Sequence, residues 1–317
     1  MKLFLILSFI LRIFFVGLFL NLNFVTSTLA IEADCNNDYS SLVIVQKSGE
    51  ILFEKRSDKI SYPASLVKMM TLYLTFAALE KHQISLDDIL TVSAYGEEIA
   101  KVNNNNTLHL KEGDQITVRE AIAAVTVKSF NEAAVTLAEA VAGDEWQFVR
   151  YMNEEAQKLG MINTSFRNAS GLHEEGQYTN SYDLARLALA LKKDFPQYYY
   201  FFSLKKFSYH GQIYQTHNHI LLEYKGAEGM KTGFTKASGF NLISAASQKN
   251  IGIISIVLGC PSSQSRDKLT KQLLDISFKK FHQNQRNSHN FKSLNLKEFD
   301  YLSNQEDIDR KENLDDQ

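Results

Sequence analysis

The N-terminal thirty residues are dominated by apolar side chains. The apolar run over positions 3–25 follows Lys2 and gives way to the small residues Thr28 and Ala30. A positive start, an apolar stretch and small residues before a cleavage point are the layout of a secretory signal peptide. We therefore expect residues 1–30 to be an export signal that is cleaved after Ala30. The run also approaches the roughly 20 residues that span a bilayer, so an uncleaved anchor is the alternative.

After this segment the pattern changes to short strands and then to helices. Residues 41–46 and 51–55 are rich in strand-forming residues and flank a turn, which predicts a hairpin. Apolar residues then recur at helical spacing. The predicted helices are 66–81, 118–127, 132–141, 146–159 and 184–192.

Turn and cap residues mark the ends of these helices. Thr117 and Glu120 form a capping-box pattern, and Gly143 and Gly160 stand where helix C-termini favour a left-handed residue. A run of four asparagines, 103–106, is expected in an exposed loop. The middle of the chain is therefore predicted to be a block of helices joined by loops.

Strand patterns return in the C-terminal third. The predicted strands are 206–209, 213–217, 240–247 and 251–258, and a helix over 266–281 follows them. Strands at both ends of the chain thus enclose the helices. This order predicts an α+β fold, in which an antiparallel sheet is made from both chain ends and the helical block is inserted between them and packs on the sheet.

Composition narrows the class of protein. Of 317 residues, 44% are hydrophobic and 22% are charged, which provides enough apolar material for one or two packed cores. The formal net charge of −2 gives no basic field for a nucleic-acid backbone, so we expect no nucleic-acid partner. We interpret 31–281 as the folded domain and 282–317 as a polar, acidic and disordered tail. Cys35 and Cys260 could form one disulfide in an oxidising compartment, and the sequence leaves that pairing open.

Ser65 and Lys68 stand at the beginning of a strongly helical segment. Backbone N–H groups and the positive dipole end of a helix N-terminus favour an oxyanion beside a serine there. Lys68 lies three residues on, on the same helical face, and acts as a general base only if burial or a nearby cation keeps it neutral. The spacing alone indicates little, because three more pairs repeat it. They are Ser203/Lys206, Ser265/Lys268 and Ser277/Lys280.

Two further groups of residues complete a candidate site. Ser129-Phe130-Asn131 lies in the break between two predicted helices. A hydroxyl and an amide on one short loop can relay a proton and hold a substrate amide. Lys231-Thr232-Gly233 precedes a predicted strand. A cation and a hydroxyl beside a residue without a side chain suit an edge strand that receives an extended substrate with a carboxylate.

The order of these groups is specific where each alone is not. Ser-x-x-Lys, then Ser-x-Asn, then Lys-Thr-Gly is the motif set of penicillin-binding proteins and serine β-lactamases. Over about residues 41–281 the chain resembles the serine D-alanyl-D-alanine carboxypeptidases among the low-molecular-mass penicillin-binding proteins. The segments that carry this resemblance are PASLVKMMT (63–71), FRNASGL (166–172), TNSYDLA (179–185), HNHILL (217–222) and GMKTGFT (229–235).

The resemblance implies a catalytic role for each matched residue. Ser65 is expected to be the acyl-ester nucleophile, Lys68 the base that accepts its proton, and Ser129 the relay to the leaving amine. Lys231 is expected to keep the site electropositive and Lys68 neutral. The backbone N–H groups of Ser65 and Phe234 are expected to form the oxyanion hole.

The resemblance also implies substrate-binding residues. Asn131 and Thr232, next to Gly233, are expected to hold the substrate backbone and carboxylate. Arg266 matches a family position that helps bind the terminal carboxylate, and a solvated arginine at a helix start is the alternative. His217 and His219 are interpreted as structural residues at a strand end rather than as metal ligands.

The activity implied is removal of the terminal D-alanine from peptidoglycan stem peptides that end in D-Ala-D-Ala. The implied inhibitors are β-lactams, and neither a metal nor an organic cofactor is implied. The implied location is the periplasm or the outer face of the inner membrane of a bacterium. Membrane association would occur through the N-terminal segment.

One departure from the family pattern concerns the second motif. Its middle residue is usually glycine in this family, and we expect Phe130 to place a large side chain at the mouth of the site and to alter substrate preference. Three rival functions share the fold. A β-lactamase has the same motifs, but the stretch 167–172 lacks the water-activating glutamate of class A enzymes. A DD-endopeptidase would cut cross-links instead of chain ends, and a catalytically silent protein would only bind peptidoglycan.

Overall fold

The computed structural model describes residue 35 and residues 38–102 and 107–287, without the side chains of 282–287. The predicted export signal, the asparagine run 103–106 and residues 288–317 of the predicted tail lie outside these ranges. None of the helices within the ranges combines the length and apolar character that a bilayer span requires.

Strands and helices follow the predicted order along the described chain. The strands are β1 (Ser40–Val45), β2 (Ile51–Lys55), β3 (Ile89–Thr91), β4 (Gln115–Thr117), β5 (Lys206–Tyr209), β6 (Gln212–Gln215), β7 (Ala227–Thr235), β8 (Gly239–Gln248) and β9 (Ile251–Cys260). The α-helices are α1 (Lys68–Glu80), α2 (Ala94–Val102), α3 (Val118–Val127), α4 (Asn131–Ala142), α5 (Glu145–Lys158), α6 (Ser181–Asp194), α7 (His219–Glu223) and α8 (Ser263–Asn287). Two 3-10 helices are Ala64–Val67 and Tyr199–Ser203.

Five of these strands form one antiparallel sheet in the order β2-β1-β9-β8-β7. Two come from the start of the chain and three from its end, and the helices α1 to α7 lie between them in sequence. The predicted α+β architecture is therefore confirmed. Strand β7, which carries the third motif, is an edge strand.

The sheet buries both of its faces, because alternate residues of a strand point to opposite sides. In β9, Ile254 and Ile256 belong to a large core shared with the helical block. Ile253 and Val257 belong to a second core shared with Leu273 and further residues of α8. The main sheet is thus a layer between the helical block and the C-terminal helix.

Cap signals of the helices agree with the sequence prediction. The Thr117 side chain accepts a hydrogen bond from the Glu120 amide, and the Glu120 side chain accepts one from the Thr117 amide. Gly143 and Gly160 have positive φ values of 87° and 69°, respectively, which glycine adopts at a helix C-terminus without the steric cost of a side chain.

Several local predictions differ from the structure. β5 and β6 form a separate hairpin because most of their side chains are exposed, which leaves too little apolar surface for a central position. The short pair β3 and β4 and the helix α2 were not predicted. The last helix extends in both directions beyond the predicted range 266–281.

Cys35 and Cys260 form a disulfide with a Cα–Cα distance of 5.1 Å. Both side chains are buried in the core on the α8 side of the sheet. The bond links the segment before β1 to the end of β9. It answers the pairing question that the sequence left open.

Candidate active site

Ser65 lies in the first turn of a continuous helical segment. The 3-10 helix Ala64–Val67 runs directly into α1. The residue before the serine, Ala64, has a φ of 50°, an uncommon value for a residue with a side chain. The backbone therefore turns sharply just before the serine, and the serine side chain is partly exposed.

Strand β7 passes close to the backbone of this turn. A Cβ atom on Gly233 would lie 3.0 Å from the Pro63 carbonyl oxygen and 3.2 Å from the Ser65 nitrogen. Glycine permits this approach. Phe234 follows Gly233, so the two backbone segments predicted to supply an oxyanion hole are neighbours.

Lys68 is the first residue of α1 and is completely buried. Its Nζ atom lies 3.2 Å from Ser65 Oγ and 2.7 Å from Asn131 Oδ1. It also donates a hydrogen bond to the Ser170 carbonyl oxygen. The first and second motifs are thus joined at one amino group.

The surroundings of Lys68 disfavour its charged form. Burial holds the pKa of the Lys68 ammonium well below its usual value, and the positive charge of Lys231 lowers that pKa further. The carboxylate of Glu132 acts in the opposite direction. With its pKa lowered in this way, Lys68 is more often unprotonated near neutral pH. An unprotonated amine can accept the proton of a serine hydroxyl.

Ser129 occupies the bend between α3 and α4. It has a φ of 65°, and strained backbone of this kind clusters at functional sites. Its hydroxyl is buried and has no hydrogen-bond partner among the described residues. A donor or acceptor is therefore available at this bend, two residues before Asn131 at the start of α4.

Lys231 and Thr232 are buried on β7. Lys231 Nζ donates to the Thr232 carbonyl oxygen at 3.0 Å. Burial and then the charge of Arg266 lower the pKa of Lys231 to about 7. The side chain of Phe234 is exposed and stacks on Phe240 with ring centroids 4.2 Å apart.

Arg266 belongs to the first turn of α8 and is only 4% exposed. The alternative of a solvated arginine is therefore wrong. Its guanidinium group donates two hydrogen bonds to Asp267 Oδ1 and one to the Asn241 carbonyl oxygen. Its charge is felt at Lys231 and at His217, so it contributes to the positive field of the site.

Phe130 does not stand at the mouth of the site, contrary to the sequence prediction. The side chain is 1% exposed and packs edge-on against Tyr214, with ring centroids 5.4 Å apart, and against Phe207 at 6.3 Å. Its backbone has a φ of −61°, which requires no glycine. A large apolar residue is stable here because the β5–β6 hairpin covers it.

The segment around Ser170 and Gly171 was missed as part of the site. A Cβ atom on Gly171 would lie 2.1 Å from the Ala64 carbonyl oxygen and 3.0 Å from Ser65 Cα. This close packing brings the Ser170 carbonyl oxygen to Lys68. A backbone carbonyl has no side-chain signature, so only the adjacent glycine could have indicated the contact.

Glu132 was also missed. Its side chain is fully buried at the start of α4, directly after Asn131. Oε1 accepts hydrogen bonds from Thr107 Oγ1 at 2.5 Å and from the Leu108 amide at 2.6 Å, while Oε2 has no partner among the residues described. This buried carboxylate raises the pKa of Lys68 and so counteracts the effect of Lys231.

The two histidines 217 and 219 do not share a partner. His217 Nε2 lies 2.8 Å from Thr232 Oγ1, and His219 Nδ1 lies 3.2 Å from Asp267 Oδ2. Within residues 38–102 and 107–281, no group of three or more His, Cys, Asp or Glu side chains could hold a metal ion. The prediction of a purely structural role missed the contact between His217 and the third motif.

The fold and the site define a class of protein: an α+β domain in which a serine on a helical turn faces a buried lysine beside an edge strand. The D-alanyl-D-alanine carboxypeptidase family, peptidase family S11, matches residues 27–262 of the chain. Because this match covers well over half of its length, the chain belongs to the D-alanyl-D-alanine carboxypeptidase family.

Individual relatives agree with this membership. The chain is 36% identical over 230 residues to the D-alanyl-D-alanine carboxypeptidase DacD of Escherichia coli, covering 72% of this chain and 59% of the relative. It is 32% identical over 267 residues to DacF of Bacillus subtilis, covering 81% of this chain and 64% of the relative. The chain thus spans about six-tenths of the length of these curated relatives.

Solved structures extend the similarity to the fold. Penicillin-binding protein 5 from Haemophilus influenzae matches with a TM-score of 0.73 and 32% identity, covering 76% of this chain and 70% of that one. Penicillin-binding protein D2 from Listeria monocytogenes, in its ampicillin-bound form, matches with a TM-score of 0.66 and 30% identity, covering 75% and 96%.

Proposed function

We propose that this protein is a serine DD-carboxypeptidase that removes the terminal D-alanine from peptidoglycan stem peptides and is inhibited by β-lactams. The observation that carries the proposal is the buried Lys68 amino group, 3.2 Å from Ser65 Oγ, beside a second buried lysine that disfavours its charge. Membership of the carboxypeptidase family and the ampicillin-bound relative support the substrate class and the inhibitor class.

In the proposed acylation, Ser65 Oγ attacks the carbonyl carbon between the two terminal D-alanines. Its proton passes to neutral Lys68 Nζ. The developing oxyanion would be held by the backbone N–H groups of Ser65 and Phe234, and losing one such donor in other enzymes slows the reaction by about 100- to 1,000-fold. The peptide C–N bond then breaks, and the leaving amine takes a proton through the Ser129 hydroxyl.

The second half of the proposed reaction is hydrolysis of the acyl-enzyme. One water molecule adds to the ester, the shortened peptide leaves with a carboxylate, and Ser65 regains its proton. Asn131 would hold the substrate amide, and Thr232 and Arg266 the terminal carboxylate. A site that includes the buried basic residues Lys231 and Arg266 is suited to an anionic chain end.

We further propose that the protein acts outside the cytoplasm, in the periplasm or on the outer face of the inner membrane. The disulfide supports this location, because such bonds persist in oxidising compartments. Residues 1–30 would be the export signal or an N-terminal anchor and 31–281 the catalytic domain. Because α8 continues to Asn287, the polar tail would begin after that residue and not at 282.

The test is the intact mass of the purified protein after incubation with benzylpenicillin, together with an assay of the remaining drug. We expect a lasting adduct of one penicillin on the wild type and none on Ser65→Ala. Ser203→Ala is the matched control, because Ser203 repeats the Ser-x-x-Lys spacing on the surface, and it should be labelled normally.

Three different results would each indicate a rival function. Destruction of the drug without an adduct would indicate a β-lactamase, and an intact drug without an adduct would indicate a silent binding protein. Cleavage of a cross-linked peptide dimer would indicate an endopeptidase. A carboxypeptidase should instead release free D-alanine from a peptide ending in D-Ala-D-Ala and leave the dimer intact.

A further inference from the structure

The loop that precedes α7 holds His217 against the third motif. The Asn218 side chain accepts the Leu221 amide hydrogen at the start of α7, and the Asn218 amide donates to Thr216 Oγ1 at 3.2 Å. Both neighbours of His217 are therefore fixed. Between them, His217 Nε2 lies 2.8 Å from Thr232 Oγ1.

The imidazole of His217 is neutral at physiological pH. Burial lowers its pKa to about 3, and the positive charges of Lys231, Lys128, Arg266 and His219 act in the same direction. A neutral imidazole carries one N–H group and one bare nitrogen. The hydrogen bond to Thr232 therefore has two arrangements, which differ in the direction of donation.

The direction decides what Thr232 can offer to a ligand. If the Thr232 hydroxyl donates to a bare Nε2, its single hydrogen is used and only oxygen lone pairs face the substrate. If Nε2–H donates to Thr232 Oγ1, the hydroxyl hydrogen stays free for an anionic acceptor. Hydrogen bonds to a carboxylate are the stronger kind, so a bound carboxylate favours the second arrangement.

We propose that His217 is a positioning residue: its Nε2–H group donates to Thr232 Oγ1 and thereby directs the Thr232 hydroxyl hydrogen to the carboxylate of the substrate's terminal residue. The inference rests on the proposed carboxypeptidase function and deepens it. It explains why a neutral, partly buried ring lies beside cations that already provide the positive charge. His217 itself need not touch the substrate.

The test compares two substrates, diacetyl-L-Lys-D-Ala-D-Ala and the same peptide with a C-terminal amide. His217→Leu removes the donor and keeps apolar bulk, whereas His217→Gln retains an N–H group at similar reach. We expect His217→Leu to lower kcat/KM for the free acid by about 10- to 100-fold, and for the amide by much less. His217→Gln should recover much of this loss.

A double-mutant cycle with Thr232→Val tests whether His217 acts through Thr232. We expect His217→Leu to have almost no further effect on the free acid when the Thr232 hydroxyl is absent. Deacylation of the peptidyl-enzyme should be unchanged in His217→Leu, because the terminal residue has already left. A merely structural defect would slow both steps and both substrates.

His82→Gln is the matched control, since His82 is exposed after α1 and away from the motifs, and it should behave as the wild type. The urea unfolding midpoint of each variant verifies that it is folded. The inference would be overturned if the losses of kcat/KM caused by His217→Leu and Thr232→Val multiplied in the double variant. It would also be overturned if His217→Leu lowered kcat/KM equally for the free acid and the amide. A wild type that neither binds penicillin nor releases D-alanine would instead refute the proposed function on which it rests.

Discussion

At the scale of single residues, the decisive feature is the balance of charge around Lys68. Burial and Lys231 disfavour its ammonium form, and Glu132 favours it. Asn131 and the Ser170 carbonyl oxygen accept hydrogen bonds from it whether or not it is charged. The site therefore admits a neutral base and still stabilises the proton that the base receives.

This balance predicts the pH dependence of acylation. The rate should rise with pH as Lys68 loses its proton, at a pH well below that of an ordinary lysine. Glu132→Gln retains an acceptor for Thr107 and Leu108 but removes the negative charge, which lowers the pKa of Lys68 further. In a plot of the penicillin acylation rate against pH, the rising limb should therefore move to lower pH.

Thr107→Val is the control for this measurement, because it removes a hydrogen bond to Glu132 and leaves the charge in place. Its rising limb should stay at the wild-type position. An unshifted limb in a folded Glu132→Gln variant would contradict the electrostatic argument.

A second prediction at the scale of single residues concerns Gly171. It has a φ of 77°, and a Cβ atom would lie 2.1 Å from the Ala64 carbonyl oxygen. Gly171→Ala should therefore displace the Ser65 turn, lower the unfolding free energy by about 3 kcal/mol or more, and abolish rapid acylation. Urea unfolding and penicillin labelling check both effects.

Gly143→Ala is the matched variant, since Gly143 has a φ of 87° with no atom within 4 Å of an added Cβ. The added side chain strains the backbone at this positive φ by about 1–3 kcal/mol but causes no clash. Acylation should be normal in it. If Gly171→Ala and Gly143→Ala had the same unfolding free energy and the same acylation rate, the clash with the Ala64 carbonyl oxygen could not be the cause of the defect.

At the scale of secondary-structure elements, the site is formed where the boundaries of several elements meet. It combines the first turn of α1, the bend between α3 and α4, the edge strand β7 and the segment at Ser170. The β5–β6 hairpin stands behind the bend and buries Phe130. Through these aromatic contacts the hairpin packs against the middle residue of the second motif.

The packing of Phe130 predicts a loss of stability rather than a change of specificity. Phe130→Ala should lower the unfolding free energy by about 3–5 kcal/mol, because it leaves a cavity under the hairpin. Phe130→Leu should lower the unfolding free energy by less than Phe130→Ala does. It should leave the ratio of kcat/KM between two stem peptides unchanged. A stable Phe130→Leu variant with an altered ratio would restore the interpretation of Phe130 as a residue at the mouth.

At the scale of the whole molecule, the sheet joins the two ends of the chain. β1 pairs with β9 along its full length, and the disulfide closes a loop with a sequence separation of 225 residues. Every described strand and helix except α8 lies within this loop. The covalent link therefore restricts the unfolded chain much more than the folded one.

Removing the disulfide should lower the unfolding free energy by about 2–5 kcal/mol. The double variant Cys35→Ala/Cys260→Ala and the reduced wild type should unfold at similarly reduced urea concentrations. A reductant should have no effect on the double variant. Loss of the disulfide in the wild type with no change in the unfolding midpoint would contradict the prediction.

The sequence alone determined the architecture and the three motifs. Local periodicity is set by which face of a strand or helix is buried, so it predicted β1, β2, α3 and the order of sheet and helices. The capping box at Thr117 and the glycines at helix ends are also local, and their hydrogen bonds and dihedral angles match. The motif residues Ser65, Lys68 and Lys231 were singled out by order and spacing.

The tertiary structure decided what surrounds those residues. Burial of Phe130 and Arg266, the contact of the Ser170 carbonyl with Lys68, and the pairing of His217 with Thr232 join segments distant in sequence. Such contacts depend on side chains meeting across the fold and on backbone atoms that every residue possesses. The chain order therefore indicated which groups could react, and only the packing of the fold set their charge, their partners and their exposure.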